Sequence, residues 1–330
     1  MFKSAIATNR DWKIAAATCV KQVSAGLPAN IGFIYVTEPF SDHLTEILHA
    51  LHASTNIDCW VGSVGMGICA ISEPQSVEFF EEPAMAVMTA RLPDKSFSLF
   101  SASEVLENEN IQFDPALDQF TEGLPFILSH ADSANPEILT ILEDLNEMQE
   151  SFMVVGLTSS ANKHHHVSGL GTSGGLSGII FSPELEIITT LSQGCQPLGE
   201  IHRIGRCDGN LIMDLDHSRA SDVLFKDVNV RTMSDFQKVA GNIHAGLSVA
   251  GSDTGDYLVR NLIGLDEING IVAIGAPVNE GDLIMFVRRD PEAARLDLQN
   301  TLSNLSKRAK NKIKGGIYIS CIARGPNMFG

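Results

Sequence analysis

Basic residues are scarce in this sequence, which has 23 lysines and arginines against 40 aspartates and glutamates in 330 residues. The net charge of −17 repels the phosphates of nucleic acids and of anionic membrane surfaces, so both are excluded as main partners. No run reaches the roughly 18 uninterrupted apolar residues of a membrane-spanning helix. The N-terminus also lacks an apolar core of signal-peptide length. We therefore expect a soluble, intracellular protein.

Cysteine is sparse as well, with six residues, and no two of them form a C-x-x-C pair or stand at zinc-finger spacing from histidines. Scattered cysteines in a chain without an export signal are typical of reduced, mostly buried thiols. Neither a disulfide framework nor a metal site is therefore predicted. The content of 44% hydrophobic and 19% charged residues is that of a folded globular protein, and the length predicts about two domains.

A strand–helix–strand pattern occurs twice along the chain. Ile31–Thr37 is an unbroken apolar run, His43–Ala53 has apolar residues at helical spacing, and Asp58–Val64 is apolar again. Such units favour parallel strands joined by a right-handed crossover, and Gly62 and Gly156 are predicted to be equivalent. The second unit has the elements Pro125–Ser129, Pro136–Met148 and Ser151–Leu157.

Shorter elements are predicted between and after these units. The C-terminal part resembles an interrupted third unit, with a helix at Leu296–Leu305 and a strand at Gly315–Cys321. Hairpins are indicated where β-rich runs flank a turn, at 84–100, 175–190 and 271–287.

The predicted fold class is α/β, with two domains of mixed β-sheets covered by helices and repeated strand–helix–strand units. The domains are predicted at residues 1–220 and 221–330, the second incomplete at its C-terminal end.

A glycine-rich loop at 163–178 fits two signatures, G-x-G-x-x-G of dinucleotide sites and G-x-S-x-G of serine hydrolases. Both need a helix directly after the loop, whereas a strand is predicted here, so neither is favoured. A hydrolase with Ser173 as nucleophile stays an alternative, because Asp214 or Asp216 and then His244 follow in hydrolase order.

The stretch 192–199, SQGCQPLG, follows an apolar run and is typical of a tight, shaped turn. Such a turn either exposes backbone donors and the Cys195 thiol to a groove or is only a rigid structural element. A thiol enzyme that uses Cys195 or Cys321 is a further alternative.

Two groups of motifs resemble those of the FIST family. The run SGLGTSGGLSGIIFSPELEIITTLSQGCQPLGEIHRI, followed by GNLIMDLDHSRASDVL, is similar to the FIST N-terminal domain. GAPVNEGDLIMFVRRDPEAARLDL and GGIYISCIARGPNMFG are similar to the C-terminal domain, with its E-G-D, R-D-x-x-A-A and C-x-x-R-G-x-x-x-F-G features. The sequence departs from the family in ending at the F-G motif and in having Ala323-Arg324-Gly325 where Gly-Arg-Gly is usual.

The resemblance implies a cytoplasmic sensory protein that binds a small ligand, such as an amino acid or another anion. The signal would pass in trans to a partner such as a histidine kinase, a cyclic-dinucleotide enzyme or a chemoreceptor. Some family members bind haem and respond to nitric oxide, so a haem-based gas sensor is an alternative. Its axial ligand would be His164, His165 or His166. An enzyme is not the favoured interpretation, and no catalytic residue is assigned. A pure interaction scaffold, which would need a large exposed apolar patch, is a third possibility.

The ligand site is predicted in one groove between the domains, where three glycine-rich turns converge, at 169–178, 194–199 and 321–324. Arg324 offers a positive fork for a carboxylate or phosphate, unless it pairs with Asp290 or Asp214. The predicted ligand-binding residues are Gly171, Ser173, Gly174, Gly175, Gly194, Cys195, Pro197, Cys321 and Arg324.

Overall fold

The chain forms two compact units. Unit 1 comprises Met1–Ile187 and Lys314–Ala323, and unit 2 comprises Ile188–Ile313 and Arg324–Gly330. The predicted sequence boundary near residue 220 stays a prediction. The computed structural model describes residues 2–24, 28–72, 75–102, 123–138, 140–142, 145, 152–157, 165–173, 175–248, 257–310, 312–325 and 328.

Unit 1 is built on two mixed sheets. In chain order its elements are β1 (Phe2–Thr8), α1 (Trp12–Val23), β2 (Ile31–Thr37), α2 (Leu44–Thr55), β3 (Trp60–Gly65), β4 (Gly67–Ser72), β5 (Gln75–Phe80), β6 (Ala84–Ala90), β7 (Phe97–Ala102), β8 (Phe126–Ala131), β9 (Phe152–Leu157), β10 (His166–Ser168), β11 (Gly171–Ser173) and β12 (Leu176–Phe181). The first sheet has the order β1-β6-β2-β3-β10-β11, the second has the order β7-β12-β8-β9, and β4 and β5 form a hairpin.

The layers of unit 1 follow from the alternation of side chains along β2. Ile34 and Val36 face α1 and α2 and belong to one buried cluster with them. Phe33 points to the other side, where it shares a second cluster with Leu128 and Ile179 of the second sheet. The two sheets therefore pack face to face, and helical residues at 138, 141 and 145 cover the outer face of the second sheet.

The two predicted strand–helix–strand units are present, because β2 pairs with β3 and β8 pairs with β9 in parallel. The predicted equivalence of their glycines is wrong. Gly62 lies opposite Ile34, on the face covered by helices, whereas Gly156 lies opposite His130, on the face between the sheets. A shift of one residue along a strand moves a side chain to the other face, so similar spacing in sequence does not fix the face.

Unit 2 has one large sheet, in the order β13-β22-β19-β20-β21-β16-β15, with β14 also paired to β22. Apolar residues of the sheet and of α3, including Leu224, Ile274 and Phe286, form its core. Its elements are β13 (Cys195–Pro197), β14 (His202–Arg203), β15 (Cys207–Asp208), β16 (Leu211–Ile212), β17 (Asp214–Leu215), β18 (Ser218–Arg219), α3 (Ala220–Val228), α4 (Met233–Val239), β19 (Ile243–Ser248), β20 (Tyr257–Asp266), β21 (Ile271–Ile274), β22 (Leu283–Arg289) and α5 (Pro291–Arg308).

The three predicted hairpins are wrong. β6 and β7 belong to different sheets, β12 has no strand after it at 186–190, and β21 is separated from β22 by two other strands. The predicted C-terminal helix is present within α5, but residues 315–321 form no strand and pair with none of the described strands. The fold class itself, α/β with mixed sheets covered by helices, is confirmed.

Candidate functional site

The turn at residues 192–194 leads into the first strand of unit 2 and lies against helix α5. Gly194 is buried and has a φ of +63°, a conformation that glycine adopts without steric cost. A Cβ at this position would lie 2.7 Å from the Cβ of Ala294, so only glycine allows the helix to come this close. Cys195 then starts β13, where it pairs with Arg289 of β22.

Three donors of this turn converge on one carboxylate oxygen of α5. The hydroxyl of Ser192 donates to Oδ2 of Asp297 at 2.7 Å, and the backbone N–H of Gln193 donates to the same atom at 2.8 Å. The N–H of Gly194 is a longer third donor, at 3.4 Å. These bonds fix the turn to the helix across about a hundred residues of sequence.

Arg324 closes the other side of the turn. Its Nη1 donates to the carbonyl oxygen of Ser192 at 2.6 Å, and both Nη atoms lie within 3.2 Å of the Ser192 hydroxyl oxygen. The acidic partners considered from sequence have other roles, since Asp290 caps α5 through Ala293 N–H and Asp214 pairs with Arg206. Ser192 thus lies between a guanidinium and a carboxylate.

Several buried polar atoms of this cluster lack a hydrogen-bond partner within the described part of the chain. They are the side-chain nitrogen and oxygen of Gln193 and the Nε of Arg324. A buried polar atom without a partner costs about 1–3 kcal/mol, and most such atoms in folded proteins are satisfied by protein, water or ligand. These three atoms therefore offer hydrogen-bonding capacity that the described residues leave unused.

The thiol of Cys195 lies beside this cluster. Burial raises its pKa, Arg289 and Arg324 lower it, Asp297 raises it, and the net shift is upward. The hydroxyl of Tyr257 donates to the Cys195 carbonyl at 3.1 Å, and burial raises the pKa of Tyr257 to about 12. At neutral pH both side chains are therefore uncharged hydrogen-bonding groups.

The glycine-rich segment of the sequence prediction lies in unit 1. Gly171 and Ser173 are in β11, where Ser173 pairs with His166, and Gly175 precedes strand β12. A nucleophile elbow turns from a strand into a helix, so this strand-to-strand connection does not have that form. Gly174 lies outside the described residues. The predicted convergence of this segment with residues 194–199 and 321–324 stays a prediction.

The two remaining predicted ligand residues, Pro197 and Cys321, are both exposed. Pro197 is exposed and pairs with Val287 at the end of β13. Cys321 is an exposed free cysteine in the C-terminal segment of unit 1. Neither residue makes a described hydrogen bond with its side chain.

The histidine cluster was the predicted source of a haem ligand, and the structure describes two of its members. His165 is partly exposed, whereas His166 is fully buried in β10, and His164 lies outside the described residues. Burial lowers the pKa of the neighbouring His130 to about 3, with a smaller contribution from His166, and Tyr35 bonds its Nε2 at 3.1 Å. His166 does not fit an axial ligand in this conformation, because an iron would need access to its ring; His165 has that access.

A histidine between two aspartates in unit 2 was not predicted from the sequence. Nδ1 of His202 lies 2.6 Å from Oδ2 of Asp216, and Nε2 lies 2.8 Å from Oδ2 of Asp227. Burial lowers the pKa of His202, but the hydrogen bonds to the two carboxylates raise it, and the net shift is upward. An imidazolium, which donates from both ring nitrogens, matches these two carboxylate acceptors. No local sequence signal marks it, because its two partners lie 14 and 25 residues further along the chain.

Metal clusters and membrane-spanning helices are both absent from the described residues. Within the described ranges, no group of three His, Cys, Asp or Glu side chains could hold a metal ion. No helix among the residues described is long and apolar enough to span a membrane.

Comparison with known proteins covers nearly the whole chain. The family model of the FIST N domain matches residues 30–218, and that of the FIST C domain matches residues 220–330. An uncharacterized protein of Mycobacterium tuberculosis is 27% identical over 326 residues, which are 96% of this chain and 82% of the relative. An uncharacterized protein of Mycobacterium bovis is 28% identical over 152 residues, which are 45% of this chain and 39% of the relative.

Proposed function

The chain belongs to the FIST family, whose domains are associated with sensory signal transduction, and from this premise we propose that it senses a small ligand. The ligand would bind at the cluster of Ser192, Gln193 and Arg324 in unit 2. The bound protein would then act in trans, in the cytoplasm, on a signalling partner such as a histidine kinase, a cyclic-dinucleotide enzyme or a chemoreceptor.

One observation carries the choice of site. Both polar atoms of the Gln193 amide and the Nε of Arg324 are buried without a partner in the described structure. An apolar residue in place of Gln193 would avoid the cost of burying that amide, so its presence is best explained by a partner that binds there. Small-ligand sites characteristically combine a few such polar groups with a mostly apolar lining.

The chemistry of these groups restricts the ligand. Arg324 provides a positive charge for a carboxylate or phosphate, and the Gln193 amide both donates and accepts hydrogen bonds. Cys195 and Tyr257 are held neutral by burial, so they add no charge of their own. A small anion that also has hydrogen-bonding groups, such as an amino acid or a hydroxy acid, satisfies all of these.

The test is a thermal-shift screen followed by calorimetric titration. Amino acids, hydroxy acids, dicarboxylates and inorganic phosphate are each added to the purified chain. A ligand that binds the folded state alone stabilises it by about 2.7 kcal/mol at a hundredfold excess over its Kd. We expect a saturable rise in melting temperature for at least one anionic member. If none of them gives a saturable shift or measurable heat, the proposal is wrong.

Two variants test the place of binding. Arg324→Ala should weaken the anionic ligand by about 1.5–3 kcal/mol, the range for hydrogen bonds to charged groups. Gln193→Met keeps the size of the side chain but removes the unpartnered atoms, so the free protein should be as stable as before or more stable while ligand affinity falls. Arg91→Ala, which removes an exposed arginine paired with Asp94, is the control. Equal affinities for Arg324→Ala and Arg91→Ala would contradict the site.

The trans-acting part of the proposal has its own measurement. Autophosphorylation of a candidate histidine kinase is followed with the protein added, with and without ligand. We expect a ligand-dependent rate with the wild type and a ligand-independent rate with Arg324→Ala. The haem alternative is tested by the absorption spectrum of protein from haem-replete cells, where a His165→Ala variant should lose the Soret band.

A further inference from the structure

The turn at 192–194 has the geometry of an anion-binding site that a side chain of the protein already occupies. Two consecutive backbone N–H groups and one hydroxyl point at a single oxygen of Asp297. Gly194 has the positive φ that brings such consecutive N–H groups together. Concave arrangements of this kind bind carboxylate and phosphate oxygens in many proteins. We call these three donors the cradle.

The helix that supplies Asp297 buries little of its surface in the part of the chain that the structure describes. Ala294 is the buried member of α5, whose eighteen residues are otherwise partly or fully exposed in the described structure. Near its other end, Arg308 donates to the carbonyl of Thr189 at 3.1 Å, and both groups are exposed. Few buried apolar contacts mean a low free energy of local opening, so the bonds of Asp297 are a large part of what holds α5.

A ligand carboxylate and the Asp297 carboxylate would compete for the same donors. The Ser192 hydroxyl has one hydrogen, which it donates to Asp297, while Arg324 donates to its oxygen. A ligand oxygen in the cradle would accept hydrogen bonds from all three donors, and the guanidinium of Arg324 would lie next to it. The carboxylate of Asp297 would then be hydrated by water instead. The helix would then lose its polar contact with the turn.

We propose that the cradle is the subsite for the ligand's carboxylate, and that Asp297 fills it until the ligand displaces it and releases α5 from the turn. This deepens the proposed function and rests on it, because it names the regulation of the same site. Released α5 is the element through which binding is passed to a partner.

The cradle itself is tested by chemical rescue, which needs no knowledge of the natural ligand. Asp297→Ala removes the internal carboxylate, and acetate is added as a substitute with sodium chloride at equal ionic strength as the reference. We expect acetate to raise the melting temperature of Asp297→Ala saturably, while chloride does not. Asp94→Ala, which takes an exposed carboxylate away from Arg91, is the matched control and should show no difference between the two salts.

Displacement is tested with Asp297→Asn, which keeps the size of the side chain and therefore covers the case in which the alanine variant fails to fold. Without a competing internal charge, this variant should bind the anionic ligand found in the screen roughly tenfold more tightly. Amide hydrogen exchange in α5 should be faster in Asp297→Asn than in the free wild type, and ligand should accelerate it in the wild type.

The outcomes separate this inference from the proposed function. Acetate that acts no differently from chloride on Asp297→Ala, or ligand affinity that is unchanged or weaker in Asp297→Asn, overturns the displacement mechanism while ligand binding in the wild type still stands. Ligand that slows exchange in α5 also overturns it, because the helix would then be held and not released. Absence of any ligand in the screen, with acetate rescue intact, would leave an anion cradle and contradict the sensing proposal.

Discussion

Gly199 lies directly against the carboxylate of Asp227, at a distance that leaves no space for a side chain. A Cβ at Gly199 would overlap the carboxyl carbon and both carboxyl oxygens of Asp227. That carboxylate is 6% exposed and holds His202, so the last glycine of the SQGCQPLG stretch is where the turn meets a buried ion cluster. Gly199 is therefore explained by packing against a charge, and ligand contact is not needed to account for it.

Gly199→Ala should destabilise unit 2 by about 2 kcal/mol or more, because it forces Asp227 away from His202. Hydrogen exchange of the α3 amides, read together with urea unfolding, would show the loss. Gly241→Ala is the control, since no atom lies within 4 Å of a Cβ at that position. Equal stabilities of the two variants would mean that Asp227 does not need the space.

His202 should make the stability of unit 2 depend on pH in a defined direction. Its folded pKa is raised above the ordinary 6.5, so its contribution is complete below about pH 6 and is lost as the pH rises through the folded pKa. The pKa of Asp216 is lowered, mainly by the N–H of Arg203 and then by His202, so its contribution is lost only as the pH falls below its usual value of 3.8. The ion pairs of His202 therefore stabilise unit 2 most between about pH 4 and pH 6.

The measurement is the stability difference between the wild type and His202→Gln across pH. We expect a difference of about 3 kcal/mol near pH 5.5, the cost of breaking a buried charge pair, and a smaller one near pH 9. A difference that grows with pH would show that His202 is neutral in the folded protein.

The two strand glycines, Gly62 and Gly156, should respond differently to alanine. A Cβ at Gly62 would overlap the carbonyl oxygen of Ile34, which the sheet holds in place, so Gly62→Ala should cost about 3 kcal/mol or more. At Gly156 the nearest atom is Cδ1 of Ile319, at an ordinary 3.5 Å, so Gly156→Ala should stay within about 1 kcal/mol of the wild type. Urea unfolding of the two variants compares them, and similar costs would contradict the different roles assigned here.

The thiol of Cys195 should react slowly with alkylating agents, because its pKa is raised and the side chain is half-buried. Iodoacetamide should label the exposed Cys321 before Cys195 at pH 7.5, as read by peptide mass spectrometry. The rate at Cys195 should then rise about tenfold per pH unit up to pH 9, since the thiolate is the reactive form. Rapid labelling of Cys195 at neutral pH would favour the thiol-enzyme alternative.

The parts of the fold that the sequence predicted are those with large, regularly spaced core residues. Helix α2 was predicted from four apolar residues at helical spacing, and the same four are its buried side chains: Leu44, Ile47, Leu48 and Leu51. Helix α1 was not predicted, because it turns small residues, Ala15, Ala16 and Cys19, towards the core. The hairpins failed for another reason: β6 pairs with β1 and β2, which precede it by many residues, and periodicity does not encode a partner.

In the candidate site, the turn could be predicted from the sequence but its partners could not. The SQGCQPLG stretch was identified from its own composition, which shows that the backbone turns tightly there. The partners of the turn, Asp297 and Arg324, lie more than a hundred residues away in sequence, and nothing local to Ser192 indicates them. His202 was missed because a single histidine is common, and only the fold places Asp216 and Asp227 on its two nitrogens.

The pairing of β13 with β22 also sets an order in time. Cys195 pairs with Arg289 and His202 pairs with Ile284, so the ribosome completes the turn long before it has made the strand that holds it. At the usual 5–20 residues per second, about 5–20 s pass between the synthesis of the turn and the synthesis of β22. Throughout that interval, the nascent chain presents the unpaired backbone of β13 and β14. Slow translation between these strands would therefore lengthen the period in which the newly made protein is most exposed to aggregation and dependent on chaperones.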